Sequence, residues 1–470
     1  MGQADLTGRV IAHLRDRREA VQTPAAREAT ALHLLDSLAA VISGRVMPAG
    51  RAAGEWLAHR PGGGRSSCAG EQDLRHAEEA AFVNAMCAHA DESDDSHEPS
   101  RSHPGASIVP VAVAVGEQRG SAPDEVLDAV TLGYEACALM NWLLWPTAAA
   151  RRRTHLSSHA TGGLWGSAVT AGVLHGFDDE QMRSLIGYTS QMSAGLATWL
   201  RDEHHIEKAF AFSGMPAWNG VRAAGLVDCG WPGVRDALDG APSLFSAFGA
   251  EPREEALAEA ASRPAIVLET NIKKYCVGSP AQAAVQAAEE LVGDGVSASQ
   301  VSALRIHLPT DLAYIVDQRD MTNINVQYLA AVTLVDGRCT FAVAHDENGA
   351  QRPEVSDLLT RTELVADGEM EPIRQARVEA ELVDGRTLRK SVFPVRGTKD
   401  DPMTRGEVEA KADDLMSMAL DGRYRAEVIE ACGPFDEASL RRIGDALRAV
   451  RETAVEPATG GDRKETIHGA

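Results

Sequence analysis

The sequence predicts a mostly α fold: a large all-helical domain with a smaller α+β unit set into it. Two observations carry this. From about Asp5 to Trp231 apolar residues recur at helical spacing with scarcely any strand-like alternation. After the acidic helix EPREEALAEAASRP (251–264) the texture turns β-branched and alternating, and beyond residue 404 helical periodicity returns.

In chain order, helices are predicted in ALHLLDSLAAVIS (31–43), AEEAAFVNAMCAHA (77–90), the buried run from Ala106, DEVLDAVTLGYEACALMNWLL (124–144), SAVTAGVLHG (167–176) and VRAAGLVDCG (221–230). Gly176 and Gly230 suit left-handed caps. AIVLETNIKKY (265–275) reads as extended, SPAQAAVQAAEELVGDG (279–295) as a helix with a glycine stop, and SALRIHLPTDLAYIVD (302–317) as a strand leading into a turn or helix. ARVEAELVDGRTLRKSVF (376–393) alternates around Asp384-Gly385, a hairpin signal that favours a tight primed turn. RGEVEAKADDLMSMAL (405–420) and FDEASLRRIGDALRAV (435–450) rejoin the helical part. The expected organisation is a helical domain over 1–265, an α+β unit over 266–402, a helical return over 403–455 and a disordered polar tail over 456–470.

Charge narrows the function classes. Lys plus Arg total 46 against 68 Asp plus Glu in 470 residues, a formal charge of -22, which argues against nucleic acid or anionic membrane as partner. An anionic substrate then needs a local basic island. No apolar run reaches the roughly 20 residues of a membrane span. MGQADLTGRV lacks the basic and apolar regions of a signal peptide, so a cytoplasmic location is expected. Seven scattered cysteines without a C-x-x-C pair suggest reduced, buried thiols. Absence of G-x-S-x-G, Walker A, G-x-G-x-x-G and H-E-x-x-H motifs removes most weight from the enzymes those motifs mark.

The densest polar cluster runs from His89 through Asp91, Glu92, Ser93, Asp94, Asp95, Ser96, His97 and Arg101 to His103-Pro104-Gly105, between two apolar helices. Such a group is costly to desolvate unless paired or used. It reads as an acid/base site in which carboxylates orient His103, as a solvated acidic loop, or as a metal site lacking fixed ligand spacing. A second cluster holds His155, His159 and Thr161, where the start of a helix near Thr161 suits a carboxylate. Lys208, Lys273 and Lys274 each either reach the surface or meet an anion, and Tyr328 lies on an apolar helix.

In order, NAMCAHADESDDSHEPSRSHPGA, HATGGLWGSAVTAG, KAFAFSGMPAWNGVRAAGLVDCGW and NVQYLAAVTLVDG resemble the MmgE/PrpD family over nearly the whole chain. That family includes 2-methylcitrate dehydratase, cis-aconitate decarboxylase and iminodisuccinate epimerase. The resemblance implies a homodimer of two-domain subunits, the α+β unit acting as a lid, and chemistry without metal or organic cofactor in the cleft between domains. The acidic motif falls on Glu92 to Ser96, its later histidine on His103, the H-x-T-G histidine on His159, the motif lysines on Lys208 and Lys273, and the tyrosine on Tyr328. Three departures stand out: Glu92 for Asp, Cys276 for Pro, and Gly278 and Gln282 where histidines are expected. The lost imidazole implies a larger pocket beside Lys273.

Elimination, decarboxylation and epimerisation of a carboxylic acid each need a proton moved at carbon beside a carboxylate, and cations to hold the acid groups. His103 and His159, as groups titrating near neutrality, are assigned as the acid/base pair, with Glu92 and Asp95 orienting them and Tyr328 bonding or protonating substrate. Lys208, Lys273, Ser96, Arg101 and Thr161 are assigned to substrate binding. The leading expectation is dehydration of a 2-methylcitrate-like hydroxy polycarboxylic acid. An epimerase or isomerase with histidines on opposite faces, a specialised lyase, a decarboxylase, and more remotely a non-catalytic binding protein are the alternatives.

Overall fold

The computed structural model of the chain describes residues 5–145, 147, 151 and 154–451; the tail expected to be disordered lies outside them. The chain folds as a large helical domain with a smaller α+β unit.

The helical part is organised around Pro24–Gly44, Ala77–Ala88, Gly105–Arg119, Pro123–Leu144, Ser158–Leu174 and Met215–Asp228. These helices enclose one another, most completely in Gly105–Arg119, where every residue from Gly105 to Gly116 is buried. The C-terminal helices Arg405–Met416, Gly422–Ala431 and Ser439–Arg448 place Val408, Leu415, Ile443 and Leu447 in the same apolar core. Gly176 and Gly230 do take left-handed φ values, 70° and 84°.

A second core runs from Tyr275 to Val395. It lies between the helices Gln282–Gly293 and Val326–Asp336 and a four-stranded sheet in the order β2-β1-β3-β4, with β1 Val301–Pro309, β2 Thr362–Asp367, β3 Ala376–Leu382 and β4 Thr387–Val392. β1 pairs parallel with β2 and antiparallel with β3, and β3 pairs antiparallel with β4. β1 passes directly into the helix Thr310–Val316, the strand-to-helix transition expected from 302–317.

Two local expectations change. The hairpin closes through a three-residue loop, Gly385 N–H donating to Leu382 O and Leu382 N–H to Arg386 O; only Gly385 is left-handed (φ 86°), so the turn is the longer kind with one left-handed residue and not the primed pair. The β-branched stretch 265–275 is not a strand. Ile266–Glu269 makes a helical turn whose first N–H is held by Glu135, and Asn271 alone forms a bridge, to Ser96. Ile266, Val267 and Ile272 are drawn into the helical core, a tertiary demand that overrides β propensity.

Candidate active site

The acidic loop after the helix Ala77–Ala88 is buried, not solvated: Asp91, Asp94 and Asp95 have 0% exposure and Glu92 4%. Each carboxylate has its own partners, which is what makes the burial tolerable. Asp91 accepts from Ser43 Oγ at 2.6 Å and from the Ser93 hydroxyl. Glu92, in the left-handed region at φ 61°, pairs with Lys208. Asp94 Oδ2 accepts from His89 Nδ1 at 2.9 Å and His103 Nδ1 at 3.0 Å, and its Oδ1 lies 3.4 Å from Lys273 Nζ. Asp95 accepts from His33 Nδ1 (2.9 Å), Tyr134 OH (2.6 Å) and the Gly105 N–H (2.9 Å).

Asp95, expected to orient His103 or His159, hydrogen-bonds His33 instead; Asp94, one residue earlier, holds His103. Asp95 fixes the start of the helix Gly105–Arg119. A Cβ at Gly105 would stand 2.3 Å from Ser37 Oγ and 2.9 Å from Asp95 Oδ2, so only glycine fits behind His103-Pro104. Glu92 likewise pairs with the lysine, 3.7 Å from His205 Nε2, and makes no hydrogen bond to His103 or His159.

His103 and His159 do come together, ring centroids 5.1 Å apart and tilted by 46°. His159 sits in the first turn of the helix Ser158–Leu174, whose cap is Ser157 Oγ. Its ring stacks on Phe212 at 3.9 Å and 10°, and Phe212 also stacks on His89 at 4.5 Å and 21°. Phe212 projects from Phe210–Gly214, a π-helical turn of the kind frequent at functional sites. Trp199 closes edge-on against Phe212, centroids 4.6 Å apart.

Burial disfavours imidazolium, so His103 is held below its ordinary value of 6.5 despite Asp94, and His159, with no carboxylate against it, falls well below. Both rest as neutral bases at pH 7, below the near-neutral titration expected for them. Asp94 stays ionised well below the carboxylate range: burial opposes this, but His89, His103 and Lys273 outweigh it. An ionised carboxylate only accepts, so His103 Nδ1 carries the proton and Nε2 the lone pair.

The expected basic island is internally neutralised. Lys273 is fully buried, donating to Glu92 O at 2.8 Å beside Asp94. Lys208 keeps 18% side-chain exposure, its Nζ 5.4 Å from the Phe212 ring and 5.8 Å from Trp199. His89, Glu92 and His205, and His89, Asp94 and His103, bring ligand-type atoms within 4.8 Å of one another. Each carboxylate in those sets already faces an ammonium, which a divalent ion would have to displace, so they form a hydrogen-bonded set and do not fit a metal.

The remaining candidates lie elsewhere. Thr161 Oγ1 donates within its helix to Ser157 O. Ser96 bridges to Asn271 and accepts from Arg374 Nη2 at 3.1 Å. Arg101 is exposed; its N–H donates to Glu98 O at 3.0 Å and its carbonyl accepts from Ser158 Oγ at 2.8 Å. Tyr328 OH donates to Val343 O at 2.7 Å, and its charged neighbours, Asp346, Arg352 and Asp336, all belong to the smaller unit. Gln282 clamps Tyr275 and Val277 backbone, and Cys276 is buried in the helical core. Nor does Gly278 enlarge a pocket: a Cβ there would meet Ile324 Cγ2 at 2.9 Å, so isoleucine fills the space. His205, Phe212, Trp199 and the buried Lys411 have no assigned role in the sequence reading, and His89 enters it within the polar cluster without one. Only His89 carried a usable signal, at the head of the acidic motif.

Residues 17–257 match the MmgE/PrpD N-terminal domain and residues 275–433 the MmgE/PrpD C-terminal domain. The chain belongs to the MmgE/PrpD family. Among curated proteins it is similar to the cis-aconitate decarboxylase of Homo sapiens, 24% identical over 356 residues that cover 71% of each chain. The lyase character of that relative fits this MmgE/PrpD protein's site, where two neutral imidazoles adjoin an ionised carboxylate and a reachable ammonium. No described helix is long and apolar enough to cross a membrane.

Proposed function

We propose that the chain is a cofactor-independent carboxylate lyase, foremost a dehydratase of a 2-methylcitrate-like hydroxy polycarboxylic acid. The observation that carries the reading is the Asp94–His103 hydrogen bond beside His159, a base with its tautomer fixed next to a second neutral imidazole. His103 Nε2 takes the proton from carbon beside the substrate carboxylate. The C–O bond breaks as the double bond forms, and the proton taken from carbon is the one the leaving hydroxyl needs to depart as water. The neutral pair is thereby restored. Lys208 holds a substrate carboxylate, exchanging Glu92 for it, while the smaller unit serves as a lid that excludes water.

Decarboxylation is the second reading, favoured by the cis-aconitate decarboxylase relative. Epimerisation between opposed histidines is less well supported, because rings 5.1 Å apart leave no room for a substrate carbon between them. The reading includes a cytoplasmic homodimer, testable by light scattering. Incubation in deuterium oxide with 2-methylcitrate, citrate, cis-aconitate and iminodisuccinate, followed by proton NMR, separates the reactions: a conjugated alkene marks dehydration, carbon dioxide release decarboxylation, and deuterium exchange epimerisation. Full turnover by His103→Ala on any converted substrate would overturn the mechanism.

A further inference from the structure

We propose that His89 is a positioning residue that divides the Asp94 carboxylate with His103, so that a single carboxylate oxygen serves two imidazoles. Asp94 Oδ2 receives both Nδ1–H groups, at 2.9 Å from His89 and 3.0 Å from His103. The two rings meet edge to face, centroids 5.1 Å apart. His89 has no freedom to leave this arrangement. It terminates the helix Ala77–Ala88, is 0% exposed, and is stacked against both Phe212 (4.5 Å) and His205 (5.4 Å). Its Nε2 has no hydrogen-bond partner among the described residues, so the ring is held by Asp94 and by stacking.

The consequence is electrostatic. A carboxylate oxygen that already accepts one N–H has less negative charge to offer a second donor, so its grip on a proton at His103 is weaker than in an isolated His–Asp pair. The sharing adds to burial in keeping His103 a neutral base although a buried carboxylate lies 3.0 Å away. The groups facing this pair come from every neighbouring element: Glu92 and Asp94 from the loop, Lys273 from the segment before the smaller unit, His205 and Lys208 from the turn preceding Phe212, and His159 from its helix. Burial foremost, then Lys273 and His89, push His103 toward the neutral form, and Asp94 opposes them. His89 acts on that balance through the shared oxygen.

This inference rests on His103 being the proton-transfer group, but its test needs no substrate. In the full chain labelled with ¹³C,¹⁵N-histidine, NMR titration reads protonation of His103 directly. His89→Phe keeps the stacking and removes the donor; the expected result is a rise in His103 proton affinity of about tenfold, with an equal upward move in the acid limb of kcat/KM on any substrate turned over. His89→Asn, which keeps an N–H near the Nδ1 position, should return the midpoint to the wild-type value. An unmoved midpoint in a cooperatively folded His89→Phe protein, or the same rise in His89→Asn, would overturn the proposal. Independently of any variant, the wild-type protein should show two slowly exchanging low-field Nδ1–H signals, from His89 and His103, and absence of the His89 signal would also overturn it. Full activity of His103→Ala would instead refute the proposed function and leave the titration result standing.

Discussion

The Lys411 ammonium donates to Asp36 Oδ1 at 2.6 Å and to Ser93 O at 2.8 Å, tying the C-terminal helical return to the helix Pro24–Gly44 and to the acidic loop. Both side chains are buried, 4% and 1% exposed, so the pair braces the acidic loop through Ser93, apart from the His103–His159 cluster. Lys411→Met strips Asp36 of its ammonium partner in the core, and a loss of about 3–5 kcal/mol is expected. The double variant Lys411→Met/Asp36→Leu should recover most of it. Urea unfolding of the three proteins checks this, and equal loss in single and double variants would refute the pairing.

Asp94→Asn replaces an acceptor by an amide and removes the charge that fixes the His103 tautomer. On a converted substrate kcat/KM should fall about 10²- to 10⁴-fold. Asp95→Asn, which loosens His33, Tyr134 and Gly105 instead, should cost stability first. Kinetics and thermal melts of both variants separate the two neighbours, and the reverse pattern would restore Asp95 as the orienting group.

Restoring an imidazole at Gly278 should fail unless room is made. Gly278→His brings its Cβ against Ile324 Cγ2, and overpacking of about 1–3 kcal/mol is expected. Gly278→His/Ile324→Ala should regain much of that stability in denaturant titrations. A single variant as stable as wild type would mean that the space is open.

Acid lability should begin above the carboxylate range. Burial pushes His13 down to about 4 and His97 and His205 down to about 3, so these rings stay neutral in the folded chain and take up protons on unfolding. The unfolded chain then binds more protons between the folded values and 6.5, and stability falls as pH drops through that window. His97→Asn removes one such group, which is fully buried, and the variant should lose about 2 kcal/mol less than wild type between pH 7 and 5. Parallel pH profiles of the two proteins would contradict this.

Tyr328→Phe deletes a hydrogen bond within the smaller unit, to Val343 O. About 0.5–1.5 kcal/mol of stability should be lost, with kcat/KM changed less than threefold. A hundredfold kinetic loss at unchanged stability would return Tyr328 to the reaction.

What the sequence by itself determined is everything governed by short-range spacing: the helical runs, the alternation of β1 and β3, the glycine at position 385, and the ordered motifs that carry the family resemblance and bring His103 and His159 forward. Tertiary structure alone decided the pairing inside the site. Asp94 and Asp95 are adjacent in a loop with no period, so nothing local says which faces His103 and which faces His33. Glu92 meets Lys208 across 116 positions, and Lys273 meets Asp94 across 179. Those contacts depend on how separate elements dock, and docking also drew the β-branched stretch at 265–275 into the helical core and set Ile324 against Gly278. Desolvation, a property of the assembled core, then made both histidines weaker bases than an exposed imidazole.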